Sequence, residues 1–109
     1  MTKKPESVKI GAHLWSIIFD EKFGDMMGAA GATSLENATI LLDPGLADTI
    51  VKETFVHETL HGMWKQTSLA VTHPDKDDDS EGEKIIQTLS PLIYGFIRDN
   101  REAVKWVQS

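Results

Sequence analysis

The feature that most constrains this chain is the run His57-Glu58-Thr59-Leu60-His61, which has two histidines four residues apart and a glutamate directly after the first. On a helix with 3.6 residues per turn, positions four apart lie on the same face, so both imidazole rings project side by side. The run therefore predicts a helix at this point of the chain, with both histidines on one face.

The residues around this run also predict a helix. Asp43-Pro44-Gly45 ends the preceding strand, and Asp48 is expected to cap a helix from about Thr49 to Thr67. Helical spacing gives two adjoining stripes, one with Val56, Leu60 and Met63 and the other with Ile50, His57, His61 and Trp64. The motif is thus expected in the middle of the helix and partly against the core.

The two histidines are suited to hold one metal ion. Zinc accepts imidazole nitrogens at about 2.0–2.1 Å, and a chain without cysteine must hold any metal through nitrogen and oxygen atoms. Glu58 lies beside the first histidine, where it is expected to act as general base toward water activated by zinc. We therefore predict a Zn2+ site with His57 and His61 as metal ligands and Glu58 as the catalytic residue.

A catalytic zinc ion usually has three protein ligands, so a third is expected outside the motif. The residues after His61 lack the glycine and the third histidine of H-E-x-x-H-x-x-G-x-x-H, which excludes the metzincin arrangement. Glu83 is the preferred candidate because it lies at the start of the next predicted helix. Glu81 and His73 are the alternatives. Ser80-Glu81-Gly82-Glu83 also fits a capping box, in which Glu83 would bond a backbone amide instead of a metal.

The residues before the motif helix predict strands. Alternation over residues 8–14 favours a half-buried strand that continues toward Phe19, and Asp20 to Asp25 is expected to form a turn. Thr39 to Leu42 is the clearest strand, and Leu35 to Ala38 is typical of a hairpin connection into it. Two or three antiparallel strands are therefore expected before the motif.

The residues after the motif helix predict a solvated connection and two further helices. Residues 71–83 include an acidic run, and the helix that follows has a broad apolar face despite Pro91. A short terminal helix is expected to bring Trp106 to the core. We also expect core positions for Trp15 and for Tyr94.

Length and charge limit the class of protein. A chain of 109 residues suits a single domain over residues 1–109. A net charge of −6 without a Lys/Arg cluster argues against nucleic-acid binding. The sequence contains neither an apolar run near twenty residues nor an apolar signal core after Met1 to Pro5. We therefore expect a cytoplasmic protein without a membrane partner.

Strands, a helix with His57-Glu58-x-x-His61 and a second helix opening with a glutamate resemble the gluzincin-type zinc peptidases in their smallest single-domain form. The likeness covers roughly residues 30–100 and extends to ImmA/IrrE-type peptidases and to small zincin-like proteins encoded by bacteriophages. It implies an α+β, zincin-like fold with a short antiparallel sheet packed on the motif helix and a second helix. It also implies that a glutamate of the second helix completes the zinc site, which gives Glu83 this role by position.

In such families the strand at the sheet edge aligns the substrate. By this resemblance, Thr39 to Leu42 or its hairpin partner would pair with the backbone of a peptide or protein substrate. The expected function is zinc-dependent hydrolysis of peptide bonds by a metallopeptidase. The alternatives are a noncatalytic, zinc-stabilised interaction module and a latent peptidase whose cleft is covered by the N-terminal segment.

Overall fold

The computed structural model of the protein describes the backbone of residues 3–67 and 79–109, and the side chains of these residues except 79–84, 86 and 87. The described elements are β1 (Ser7–Ile10), β2 (His13–Phe19), α1 (Glu21–Met27), β3 (Gly31–Ser34), β4 (Thr39–Leu42), α2 (Asp48–Lys65), α3 (Asp79–Asp99) and α4 (Arg101–Gln108). The fold is therefore α+β, as predicted. In the described parts of the chain, no helix is long and apolar enough to cross a membrane.

The four strands form one mixed sheet in the order β1-β2-β4-β3. β1 and β2 pair antiparallel, as do β3 and β4, and the two hairpins join through a parallel pairing of β2 with β4. The sheet is therefore mixed and not antiparallel as predicted. β4 lies inside the sheet, so of the two strands considered for substrate alignment only β3 lies at an edge among the described strands.

The first predicted strand is in fact a hairpin. Gly11 adopts φ +62, a left-handed conformation that glycine tolerates, and the chain reverses between β1 and β2. Val8 and Ile10 are buried before the turn, and Trp15 and Ile17 after it. Even-numbered residues are therefore buried before the two-residue turn and odd-numbered residues after it, which leaves Leu14 70% exposed.

The segment predicted as a turn from Asp20 to Asp25 is the helix α1. Asp20 caps this helix, because its side chain accepts a hydrogen bond from the backbone N–H of Lys22 at 2.9 Å. Gly28 ends it in the left-handed conformation, with φ 65. Phe23 is buried, so the helix packs a single large side chain against the rest of the protein.

α2 begins one residue earlier than predicted, and Asp48 does not cap it. The N-cap is Ala47, which has no side-chain hydrogen bond, and the Asp48 carboxylate instead accepts from Lys52 Nζ at 2.7 Å. The predicted apolar stripe is also displaced, because Val56 and Leu60 are 43% and 39% exposed. The buried residues of α2 are Val51, Lys52, Phe55, Glu58, Thr59, Gly62 and Met63.

One apolar core joins the sheet to α2 and the C-terminal helices. Trp106 on α4 is buried, as predicted, and its ring meets those of Phe19 and Phe55 edge-on at 5.9 and 5.6 Å between centroids. Trp15 is fully buried in the sheet, also as predicted, whereas Tyr94 is 63% exposed and its predicted core position is wrong.

Candidate metal centre

The rings of His57 and His61 converge on the exposed side of α2. Their Nε2 atoms lie 3.0 Å apart and their ring centroids 4.6 Å apart. Two nitrogens that bind one tetrahedral zinc ion at 2.0–2.1 Å are about 3.3 Å apart, so shifts of a few tenths of an ångström suffice for both to bind. The same distance also fits a hydrogen bond between a protonated and an unprotonated ring nitrogen.

Glu58 is buried although the two histidines of the motif are exposed. Only 7% of its surface is accessible, and its Oε1 accepts a hydrogen bond from Thr33 Oγ1 at 2.6 Å. Its other oxygen, Oε2, lies 3.8 Å from Nε2 of His57. The carboxylate thus lies between the edge strand and the histidine pair, with one oxygen held by the strand and the other beside the first histidine.

β3 approaches α2 closely at Gly31. A Cβ atom at this position would lie 2.7 Å from Thr54 Cγ2, 3.0 Å from the carbonyl oxygen of Leu41 and 3.1 Å from Glu58 Cγ. Since the Leu41 oxygen belongs to the backbone of β4, it cannot move aside independently. Glycine is therefore required for the strand to lie this near the motif helix.

The free edge of β3 carries backbone groups beside the site. The N–H of Asp43 donates to the carbonyl of Ala30 at 3.0 Å, so Ala30 faces β4 in the ladder. In the observed register, the hydrogen-bonding groups of Gly31 and Thr33 then point away from β4. Lys65 Nζ donates to the outward carbonyl of Thr33 at 3.0 Å, which joins the last turn of α2 to this edge.

A polar cavity of about 330 Å³ lies between the segment leading into β3 and α2. Its lining consists of small residues from the β3 side and of polar helix residues, namely Ala29, Ala30, Gly31, Glu53, Thr54, His57 and Glu58. Because this cavity touches the edge strand and the motif together, a chain laid along β3 has room for a side chain next to His57.

The structure brings His57, Glu58 and His61 together and leaves the third predicted ligand untested. Glu83 and its alternative Glu81 belong to α3, but their side chains lie outside the described residues, as does His73. Across residues 3–67 and the described side chains after residue 78, no group of three or more His, Cys, Asp or Glu side chains could hold a metal ion. The assignment of Glu83 stays a prediction.

Sequence reasoning missed the contribution of β3. Thr33 and Gly31 lie 25 and 27 positions before Glu58, in a segment whose small side chains give little periodic signal. Their proximity to the motif follows from the sheet order, which places β3 at the edge beside α2. No family model, curated protein or solved structure matches the chain.

Proposed function

We propose that this chain is a zinc-dependent metallopeptidase of the minimal, zincin-like gluzincin type. The observation that carries the proposal is the convergence of the His57 and His61 ring nitrogens beside the buried carboxylate of Glu58, next to a free strand edge. Two nitrogen donors supply two of the three protein ligands that a catalytic zinc ion usually has, and the adjacent carboxylate supplies the general base.

In this proposal His57 and His61 would hold the zinc ion, with Glu83 of α3 as the third ligand. When bound, the ion would supply a Lewis acid that activates water and polarises a peptide carbonyl. Glu58 accepts the proton of the attacking water at Oε2, the oxygen nearer His57, and returns it to the departing amine. Breaking the peptide bond releases a carboxylic acid and an amine.

The edge of β3 supports a peptide substrate in particular. Its outward backbone groups at Gly31 and Thr33 offer hydrogen bonds to an extended chain, which would extend the sheet by one strand. The polar cavity beside Gly31 accommodates a side chain of that substrate. Backbone pairing of this kind gives affinity with little dependence on the substrate sequence.

The alternative is a noncatalytic, zinc-stabilised interaction module. One observation favours it: Glu58 is 7% exposed and bonded to β3, as a residue with a purely structural role would be. In that case the same free edge binds a partner strand without cleaving it.

Zinc content and hydrolysis, measured on the same preparations, distinguish these functions. Purified protein is loaded with zinc, desalted and analysed by mass spectrometry, and its activity is measured with fluorescein-labelled casein. We expect about one zinc ion per chain. His57→Ala should lose the metal, and Glu58→Gln should keep the metal and lose hydrolysis. His13→Ala is the matched control, because His13 is an exposed histidine at the start of β2, and it should change neither property.

Two results would contradict the peptidase proposal. If folded protein does not retain zinc under these conditions, the peptidase proposal loses its metal site and fails. Protein that retains zinc through His57 and His61 but cleaves neither casein nor a broad peptide library supports the noncatalytic module instead.

A further inference from the structure

We propose that Thr33 is the positioning residue for Glu58, so that the edge strand holds the general base of the reaction. This inference rests on the proposed function. Its basis is the 2.6 Å contact between Thr33 Oγ1 and Glu58 Oε1, which joins the edge strand to the motif helix across 25 residues of sequence.

The Thr33 hydroxyl has two acceptors on Glu58. Besides the carboxylate oxygen at 2.6 Å, the backbone carbonyl of Glu58 lies 3.1 Å from Oγ1. A hydroxyl has one hydrogen to donate, and hydrogen bonds to a charged acceptor are shorter and stronger than those to a neutral one. The shorter contact is to the carboxylate, so the hydrogen is directed at Oε1, and Oε2 remains on the side of His57.

Thr33 lies within a paired strand, so it can restrict the glutamate. Its backbone is opposite Ile40 in the β3–β4 pair, and its carbonyl accepts from Lys65 Nζ at 3.0 Å. The neighbouring Gly31 fixes the distance between β3 and the helix through its close approach to Thr54 and Glu58. A catalytic group fixed by such support loses less freedom at the moment of reaction.

A consequence for substrate binding follows from the place of Thr33 in β3. The backbone groups of Thr33 lie at the free edge that we propose aligns the peptide, and its side chain bonds the base. A single residue therefore links the position of the substrate backbone to the position of the carboxylate. A shift of the strand by one residue would turn the Thr33 side chain to the other face of the sheet and break this link.

The test compares Thr33→Val with Thr33→Ser on zinc-loaded protein. Valine keeps the branched shape and removes the hydroxyl, whereas serine keeps the hydroxyl and removes the methyl group. The substrate is a quenched fluorogenic peptide selected from a library with the native protein. We expect Thr33→Val to lower kcat about tenfold with KM within twofold of the native value, and Thr33→Ser to retain kcat within about threefold. Zinc content should be unchanged in both variants.

Two comparisons separate positioning from stability. Thr39→Val removes the hydroxyl of another strand threonine, whose Oγ1 donates to the Asn37 carbonyl at 3.0 Å, and it should leave kcat unchanged. In the Glu58→Gln background, Thr33→Val should cause no further loss of the residual rate, because the group that Thr33 positions is already absent. Should Thr33→Val not fold, Thr33→Ala and Thr33→Ser supply the same hydroxyl comparison.

Each outcome bears on one proposal or on both. Native kcat in Thr33→Val, or an equal loss in Thr33→Ser and Thr33→Val, overturns the positioning role and leaves the peptidase proposal standing. If zinc-loaded native protein hydrolyses no substrate, the peptidase proposal fails and the role of Thr33 fails with it. A lowered kcat that only the hydroxyl restores supports both.

Discussion

The two sides of α2 differ in what holds them. On the inner side, Phe55 and Met63 are 1% and 2% exposed and belong to the core that includes Trp106 of α4. On the side facing β3, polar contacts predominate, because Thr33 bonds Glu58 and the neighbouring histidines are open to solvent. The inner side of the helix therefore contributes mainly to stability, and the side facing β3 carries the residues of the proposed site.

The largest effect should come from the inner side. Trp106 is 3% exposed and contacts the rings of Phe19 and Phe55, so Trp106→Ala should lower the free energy of unfolding by about 3–5 kcal/mol. For a domain of this size the melting temperature should fall by at least ~10 °C. Calorimetry or circular dichroism measures the loss. Tyr94→Ala, at a 63% exposed aromatic residue, is the control and should change the melting temperature little.

A melting temperature of Trp106→Ala close to that of Tyr94→Ala would contradict this division of roles. It would mean that α4 contributes little to the core and that the sheet and α2 fold without it. The burial of Trp106 against the motif helix would then need a reason other than stability.

The next effect should come from the contact between β3 and α2. A methyl group in Gly31→Ala meets Thr54 Cγ2 and the Leu41 carbonyl oxygen, and such overpacking typically costs about 1–3 kcal/mol. Because relief requires β3 to move off the helix, hydrolysis should fall more than zinc content. Gly95→Ala in α3 is the matched control. A Cβ there meets nothing within 4 Å among the described residues, so alanine should raise stability by about 0.5–1 kcal/mol.

If Gly31→Ala loses zinc and activity in the same proportion, the strand supports the histidines as well as the glutamate. The proposal that β3 positions only Glu58 would then be wrong.

Lys52 tests whether the inner side of α2 depends on apolar packing alone, because it is a charged residue buried on that side. Its Nζ donates to Asp48 Oδ2 and to the Ser109 carbonyl, both at 2.7 Å, and lies 5.8 Å from the Trp106 ring centroid. Lys52→Met keeps the aliphatic part and removes these contacts. Since Asp48 is exposed, its carboxylate regains water, and we expect a loss of only about 1 kcal/mol in a denaturant titration.

The control for this change is Lys105→Met, at an exposed lysine of α4. Its unfolding midpoint should match that of the native protein. Equal midpoints for the two methionine variants would show that the Lys52 contacts add nothing to stability, and that the inner side depends on apolar packing alone.

The sequence was sufficient for the features that depend on local pattern. It predicted α2 around the histidine run, β4 at Thr39–Leu42 and the burial of Trp106, because helical spacing, β-branched runs and large apolar side chains each carry their own signal. The capped helix α1 had a local signal too, with Asp20 before it and Gly28 after it. The segment was nevertheless predicted as a turn.

What the sequence could not supply depends on contacts between distant residues. The parallel pairing of β2 with β4 makes β3 the edge next to α2, and no periodicity in either strand encodes this order. The bond from Thr33 to Glu58 follows from that order alone. The histidine motif was therefore predictable, whereas the residue that holds its glutamate was not.

The smallest expected effect concerns Lys65, which links the two regions at the end of α2. Its Nζ donates a hydrogen bond to the Thr33 carbonyl, and the side chain is exposed. Lys65→Met should therefore change the free energy of unfolding by less than about 0.5 kcal/mol. The change frees an acceptor at the edge where we propose that peptides pair, and KM for the fluorogenic peptide should therefore fall about two- to threefold. Lys22→Met on α1 is the exposed-lysine control. A rise in KM for Lys65→Met would instead mean that this lysine holds β3 in the position that substrates require, and that the edge is shaped by the helix it faces.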